Sequence, residues 1–170
     1  MPERRLNTSR PMVLPPDAPT TPFPIRLSGH VVKGFGRGSK ELGIPTANLS
    51  DDALKALCEE IETGIYYGWV QLGDKDTAIH PMVMSVGWNP YYHNEKKSAE
   101  VHVIHQFEHD FYNAQIRVIV LGYIRAEQNY PSLDALIEDI LTDVEVAKNC
   151  LDRKAYLEYK QDELFVHVKN

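Results

Sequence analysis

Within residues 29–48 the chain gathers glycines at 29, 34, 36 and 38, the cations Lys33, Arg37 and Lys40, and two neutral oxygen donors, Thr46 and Asn48. Glycines let a backbone approach a ligand closely, so that successive N–H groups can converge on an anion. The chemistry this composition suits is phosphate binding. No acidic residue intrudes between Asp17 and Glu41, although the whole chain of 170 residues carries a formal charge of -6. A positive segment in an acidic protein fits a small polyanion better than a nucleic-acid backbone. Taken alone, the run reads equally well as a flexible basic loop, since a Gly-rich stretch is a weak signal without structural context. Neither common phosphate fingerprint fits. The third glycine comes one position too early for Gly-x-Gly-x-x-Gly, and Lys40 follows Ser39 rather than preceding it as a P-loop requires.

Two further segments hold groups capable of chemistry. One is Asn94-Glu95-Lys96-Lys97-Ser98-Ala99-Glu100-Val101-His102, and the other is Gly122-Tyr123-Ile124-Arg125. Both fall where the chain alternates and is rich in β-branched and aromatic residues. That character predicts strands over residues 26–33, 64–72, 79–86, 98–107 and 114–124. The intervening turn signals (residues 73–76, Asn89-Pro90 and residues 108–113) are spaced for hairpins rather than βαβ units, so a compact antiparallel barrel is expected. A short helix over residues 51–62, capped by Ser50, would cover one barrel end. After Tyr130-Pro131 the period changes to 3.6. Ser132 caps a helix whose Leu133, Leu136, Ile137, Ile140, Val144 and Ala147 share a face, while Asp134, Glu138, Asp139, Asp143 and Lys148 are expected to form a solvated one.

The first 24 residues contain seven of the eleven prolines and no periodic apolar face. They read as a disordered tail, with the folded domain over residues 25–165 and a second tail over 166–170. No run resembles a signal-peptide core or a membrane span, and a soluble, cytoplasmic protein is expected, an organellar address in the tail being weakly supported. Cys58 and Cys150 show no Cys-x-x-Cys spacing and the seven histidines show no His-Glu-x-x-His, so neither a disulfide framework nor a protein-built zinc site is indicated. Most of Tyr66, Tyr67, Trp69, Trp88, Tyr91 and Tyr92 are expected in the core rather than as ring stackers. His102 and His105 lie on opposite sides of one strand and cannot act as a pair.

The segments Gly-Phe-Gly-Arg-Gly-Ser-Lys (34–40), Leu-Gly-Ile-Pro-Thr-Ala-Asn (42–48), Thr-Gly-Ile-Tyr-Tyr-Gly-Trp (63–69) and Gly-Trp-Asn-Pro-Tyr-Tyr (87–92) together give the chain a close resemblance to riboflavin kinases, from about Gly29 to Leu151. The resemblance implies a mainly β fold, a six-stranded antiparallel Greek-key barrel with a C-terminal helix outside it and a short helix at one end. It also implies transfer of the ATP γ-phosphate to the ribityl 5′-hydroxyl of riboflavin. Thr46 and Asn48 match the family's metal-binding pair. Gly34, Lys40, Thr46, Val103, His105 and Tyr112 match ATP-side positions. Glu100 matches the catalytic carboxylate, and Arg125 and Gln128 fall on the flavin side. The metal implied is Mg²⁺, with Zn²⁺ or Mn²⁺ as alternatives. Because Thr46 and Asn48 offer only neutral oxygens, the metal should arrive largely with ATP. Riboflavin and ATP would be the partners of a monomer, with neither nucleic acid nor membrane involved. Where the family commonly has Arg-Pro-Glu, this chain has Arg125-Ala126-Glu127, followed by Gln128 where a Lys is often seen, so a less rigid flavin-side loop is expected. The chain before Gly29 is too short for the adenylyltransferase domain of bifunctional bacterial relatives. The alternative reading is a non-catalytic flavin- or nucleotide-binding barrel, for which Glu100 would have no use.

Overall fold

The computed structural model describes residues 6–32, 46–50, 57, 61–73, 78–88, 97–104 and 115–165. Six strands run in chain order: β1 (Ile25–Val32), β2 (Thr46–Leu49), β3 (Gly64–Leu72), β4 (His80–Trp88), β5 (Lys97–Val103) and β6 (Gln115–Arg125). They close into an antiparallel barrel in the order β1-β2-β5-β4-β3-β6. A long helix, α1 (Leu133–Leu151), a single turn α2 (Lys154–Leu157) and a 3₁₀ turn (Glu158–Gln161) follow. The five strands expected from alternation and residue type are present with shifted ends. The sixth, β2, is four residues long and follows Pro45, too short to show a period of two. The short helix expected over 51–62 lies outside the described residues except for Leu57, which is helical, buried in the barrel core, and accepts the Ile61 N–H at 3.2 Å.

Two apolar layers hold the molecule together. Inside the barrel, Leu27, Val31, Val70, Met82, Met84, Val101, Val103, Ile116 and Val118 form one cluster. Outside it, Ile65, Tyr67, Trp69, Val83, Ile119 and Leu121 meet Val146, Ala147, Cys150 and Leu151 of α1 and Tyr156 of α2. All nine positions of β3 are therefore buried, since one side of the strand faces the barrel and the other faces helix. The Trp69 indole N–H donates to the Tyr156 carbonyl at 2.9 Å, which satisfies the one polar atom of that ring inside the second layer. Gly122 is where the β3–β6 ladder needs a missing side chain, because the Tyr67 ring occupies the space a Cβ would take.

Helix α1 begins as its sequence dictates. The Ser132 Oγ accepts the Ala135 N–H at 3.1 Å, Asp134 sits in the first turn, and Lys148 sits in the last turn beside the negative end of the dipole. Its polar side is solvated only in part, with Asp134 and Lys148 exposed as expected and two aspartates buried. Asp139 and Asp143 are 6% and 2% exposed, which corrects the expectation drawn from helical periodicity. Four residues apart, they point together at cations that come from elsewhere in the chain. Residues 6–24 form neither helix nor strand, and residues 7–16 among them bond to α1, α2 and the turn between them. Asn149 Nδ2 donates to the Met12 carbonyl at 3.1 Å, Tyr156 Oη to the Pro16 carbonyl at 2.6 Å, and Arg10 reaches both buried aspartates. The reason is electrostatic. Two buried carboxylates need cationic partners, and Arg10 is one of them.

Candidate active site

Side chains alternate along β5, so Ala99, Val101 and Val103 enter the barrel core while Glu100 and His102 face outward. Register then fixes their neighbours. The Cα of Glu100 lies opposite Asn48 of β2 on one side and Ser85 of β4 on the other, and His102 lies opposite Thr46 and Val83. Two bulges in the β3–β6 ladder shift the end of β6 so that Arg125 stands opposite Ile65, on the side beneath α1. Glu100, His102, Ser85, Val83, Ile65 and Arg125 meet around one cleft of about 720 Å³, a volume in the range of small-molecule sites. Glu100, His102, Ser85 and Trp88 form its barrel wall, Leu136, Ile140, Asp143 and Val144 its helix wall, and Arg125, Glu127, Gln128, Asn129 and Tyr130 its rim.

The electrostatics divide the cleft into two parts. Around Glu100 the polar atoms lack partners: its Oε1 and the His102 Nδ1 are buried with no hydrogen bond among the described residues. Burial pushes the His102 imidazole below its ordinary value, against the attraction of the Glu100 carboxylate, so the ring is neutral near pH 7. Lys97, the described lysine next to Glu100 in sequence, stands over the Trp88 ring at 5.2 Å instead of pairing with the carboxylate. At the helix wall, by contrast, polar atoms are fully engaged. Arg125 donates from Nε to Asp143 Oδ1 at 2.9 Å and from NH2 to Oδ2 at 2.8 Å. Burial would lower its pKa, but these bonds outweigh burial and hold it above the ordinary value. The Tyr130 hydroxyl donates to Asp139 Oδ2 at 2.7 Å beneath the Arg125 guanidinium, and burial followed by that bond raises its pKa. The Glu127 carboxylate lies against Gly87, and burial raises its pKa, partly offset by Arg125.

Of the residues singled out in the sequence, Glu100, Arg125 and Gln128 line this single cleft, and Asn48 sits in register beside Glu100. Thr46 occupies the next position of β2 facing His102 in register. The Val103 side chain lies inside the barrel, away from the cleft, so only its backbone remains available to a ligand. Gly34, Lys40, His105 and Tyr112 fall outside the described residues. Sequence reasoning passed over Ser85, Tyr130 and Asp143. Ser85 becomes visible only through its register with Glu100, and Asp143 only through its bond to Arg125.

The riboflavin kinase family model matches residues 21–151, which include every strand and all of α1. The chain belongs to the riboflavin kinase family. It is 48% identical over 165 residues to a riboflavin kinase of Pyricularia oryzae, covering 88% of this chain and 82% of that one. It is 49% identical over 143 residues to the riboflavin kinase of Homo sapiens, with 84% and 91% of the two chains covered. The crystal structure of riboflavin kinase from Trypanosoma brucei superposes with a TM-score of 0.66 at 29% identity, covering 85% of this chain and 90% of the other. The activity is ATP-dependent phosphorylation of riboflavin to FMN, and the family works with a divalent metal. Among the described residues no three His, Cys, Asp or Glu side chains cluster to hold a metal. Asn48, in register beside Glu100, offers a neutral side-chain oxygen of the kind that fits a hard cation.

Proposed function

We propose that this chain is an Mg²⁺-dependent ATP:riboflavin 5′-phosphotransferase that acts as a cytoplasmic monomer, with Glu100 as its general base. The observation that carries the reading is the buried Glu100 Oε1, which has no partner among the described residues and faces the cleft that Arg125 and Gln128 also line. A carboxylate kept free in this way can accept the proton of an attacking hydroxyl, and a pure binding module would have no need of it. Riboflavin lies in the cleft with its ribityl chain directed to Glu100 and its ring toward Arg125 and Gln128. ATP lies on the β2 side, with its phosphates toward Asn48 and Thr46 and, in this reading, Gly34, Lys40, His105 and Tyr112 around the nucleotide.

Phosphoryl transfer requires mainly that donor and acceptor be held in line and that charge on the phosphates be neutralised. Thr46 and Asn48, with the ATP phosphates, would hold Mg²⁺, which would supply that neutralisation. Glu100 orients the 5′-hydroxyl and takes its proton as the oxygen bonds to the γ-phosphorus, while the pair of electrons in the breaking bond leaves with ADP. The apolar helix wall, Leu136, Ile140 and Val144, excludes water that would otherwise compete as acceptor. Incubating the protein with riboflavin, ATP and Mg²⁺ and separating the flavins by chromatography tests the proposal. FMN and ADP in equal amounts are expected; riboflavin recovered unchanged while still bound would favour a binding module.

A further inference from the structure

Arg10 lies 115 residues before Arg125 in the sequence, yet the two share one carboxylate. Asp143 Oδ1 accepts from Arg10 NH2 at 2.7 Å and from Arg125 Nε at 2.9 Å. Arg10 NH1 lies 3.2 Å from Asp139 Oδ1, and the other oxygen of Asp139 accepts the Tyr130 hydroxyl at 2.7 Å. Two arginines and two aspartates thus form a charge-balanced cluster behind the cleft. Arg125 and Asp143 of the cluster, with Tyr130 bonded to Asp139, line the cleft, whereas Arg10 does not.

We propose that Arg10, brought in by the segment that precedes the barrel, is a positioning residue for the acceptor substrate. By holding the carboxylates of Asp139 and Asp143, it fixes Arg125 and Tyr130 where riboflavin meets them. Without Arg10, two carboxylates four residues apart on one helix face a single guanidinium, and like charges at that spacing repel. They separate or one takes up a proton, and either response moves the side chains that depend on them. Nucleotide binding on the β2 side is remote from this cluster and does not respond. The inference rests on reading the Arg125 wall as the flavin side.

Steady-state kinetics with each substrate varied in turn, together with thermal melts, test it on the full chain. Arg10→Ala raises the KM for riboflavin about 2- to 30-fold, the span over which remote residues modulate binding, while the KM for ATP and kcat stay near wild type. Arg10→Lys, whose single ammonium cannot hold both carboxylates as the planar fork does, falls between the two. This variant carries the test if Arg10→Ala does not fold. Asn149→Ala, which loosens the same segment at Met12 without touching the aspartates, leaves the KM for riboflavin unchanged. Arg125→Ala is the control for the flavin-side reading. If Arg125→Ala raises the riboflavin KM and Arg10→Ala does not, the role given to Arg10 is wrong. If neither variant moves it, the flavin-side reading fails as well. An equal rise in Asn149→Ala would assign the effect to docking of the segment in general and also overturn the role of Arg10.

Discussion

On β5 the side chains of Ala99, Val101 and Val103 enter the closed barrel and lose contact with water, while Glu100 and His102, alternating with them, face the cleft beneath α1. The inner row is held by packing alone. The outer row keeps two buried polar atoms without partners among the described residues, an arrangement that costs about 1–3 kcal/mol for each such group. A sequence selected only for stability would pair them or replace them. One face of the strand thus provides rigidity, while the other carries the carboxylate that the proposed reaction would use. The helix wall offers a second contrast, since there Asp139 and Asp143 are as buried as the core yet every oxygen is bonded.

These differences can be broken one group at a time. Asp143→Ala removes the anion shared by Arg10 and Arg125 and leaves two half-buried cations without it; a loss of about 3–5 kcal/mol is expected in denaturant unfolding, with weaker riboflavin binding as well. Met84→Ala, inside the barrel, should cost about 2–5 kcal/mol of stability but leave both KM values unchanged in the protein that remains folded. Weaker riboflavin binding in that variant would mean that core and cleft are not separable.

Acidification should act on the helix wall in a defined direction. Although burial alone would raise it, the Asp139 carboxyl is held below the ordinary 3.8 by bonds from Tyr130 and Asn7 and by the charges of Arg10 and Arg125. Its contribution is complete above the unfolded value of 3.8 and is lost as pH falls through the lower folded value. The free energy of unfolding, measured from pH 6 down to 2, should therefore fall more steeply below pH 4 in the wild type than in Asp139→Asn. Parallel curves would remove Asp139 from that account. A smaller change of opposite sign is expected from His102→Leu, which exchanges a neutral ring whose Nδ1 has no partner among the described residues for an apolar group and should raise stability by about 1–3 kcal/mol.

How much of this was legible in the sequence differs between the two faces. Alternation and β-branched residues located five strands, and Ser132 located the start of α1, because these signals are local. Strand β2 was too short to carry a period, and it exists because β1 and β5 pair with it. The acidic stripe of α1 was misread at Asp139 and Asp143 for a related reason. Periodicity places Asp139 and Asp143 on one face but cannot show that Arg10 and Arg125, distant in sequence, come to meet them. At the site, Glu100 and Arg125 were legible through family-like motifs. The Val103 side chain follows from strand parity, which sets it on the side of β5 opposite Glu100. Ser85 and Tyr130 required the fold itself.

Single-turnover formation of FMN by Glu100→Gln, at saturating riboflavin, ATP and Mg²⁺, tests the catalytic face most directly. A rate about 10²- to 10⁴-fold below wild type is expected, with unchanged thermal stability and both substrates still bound. A rate within a few-fold of wild type would contradict the assignment of Glu100 as the base.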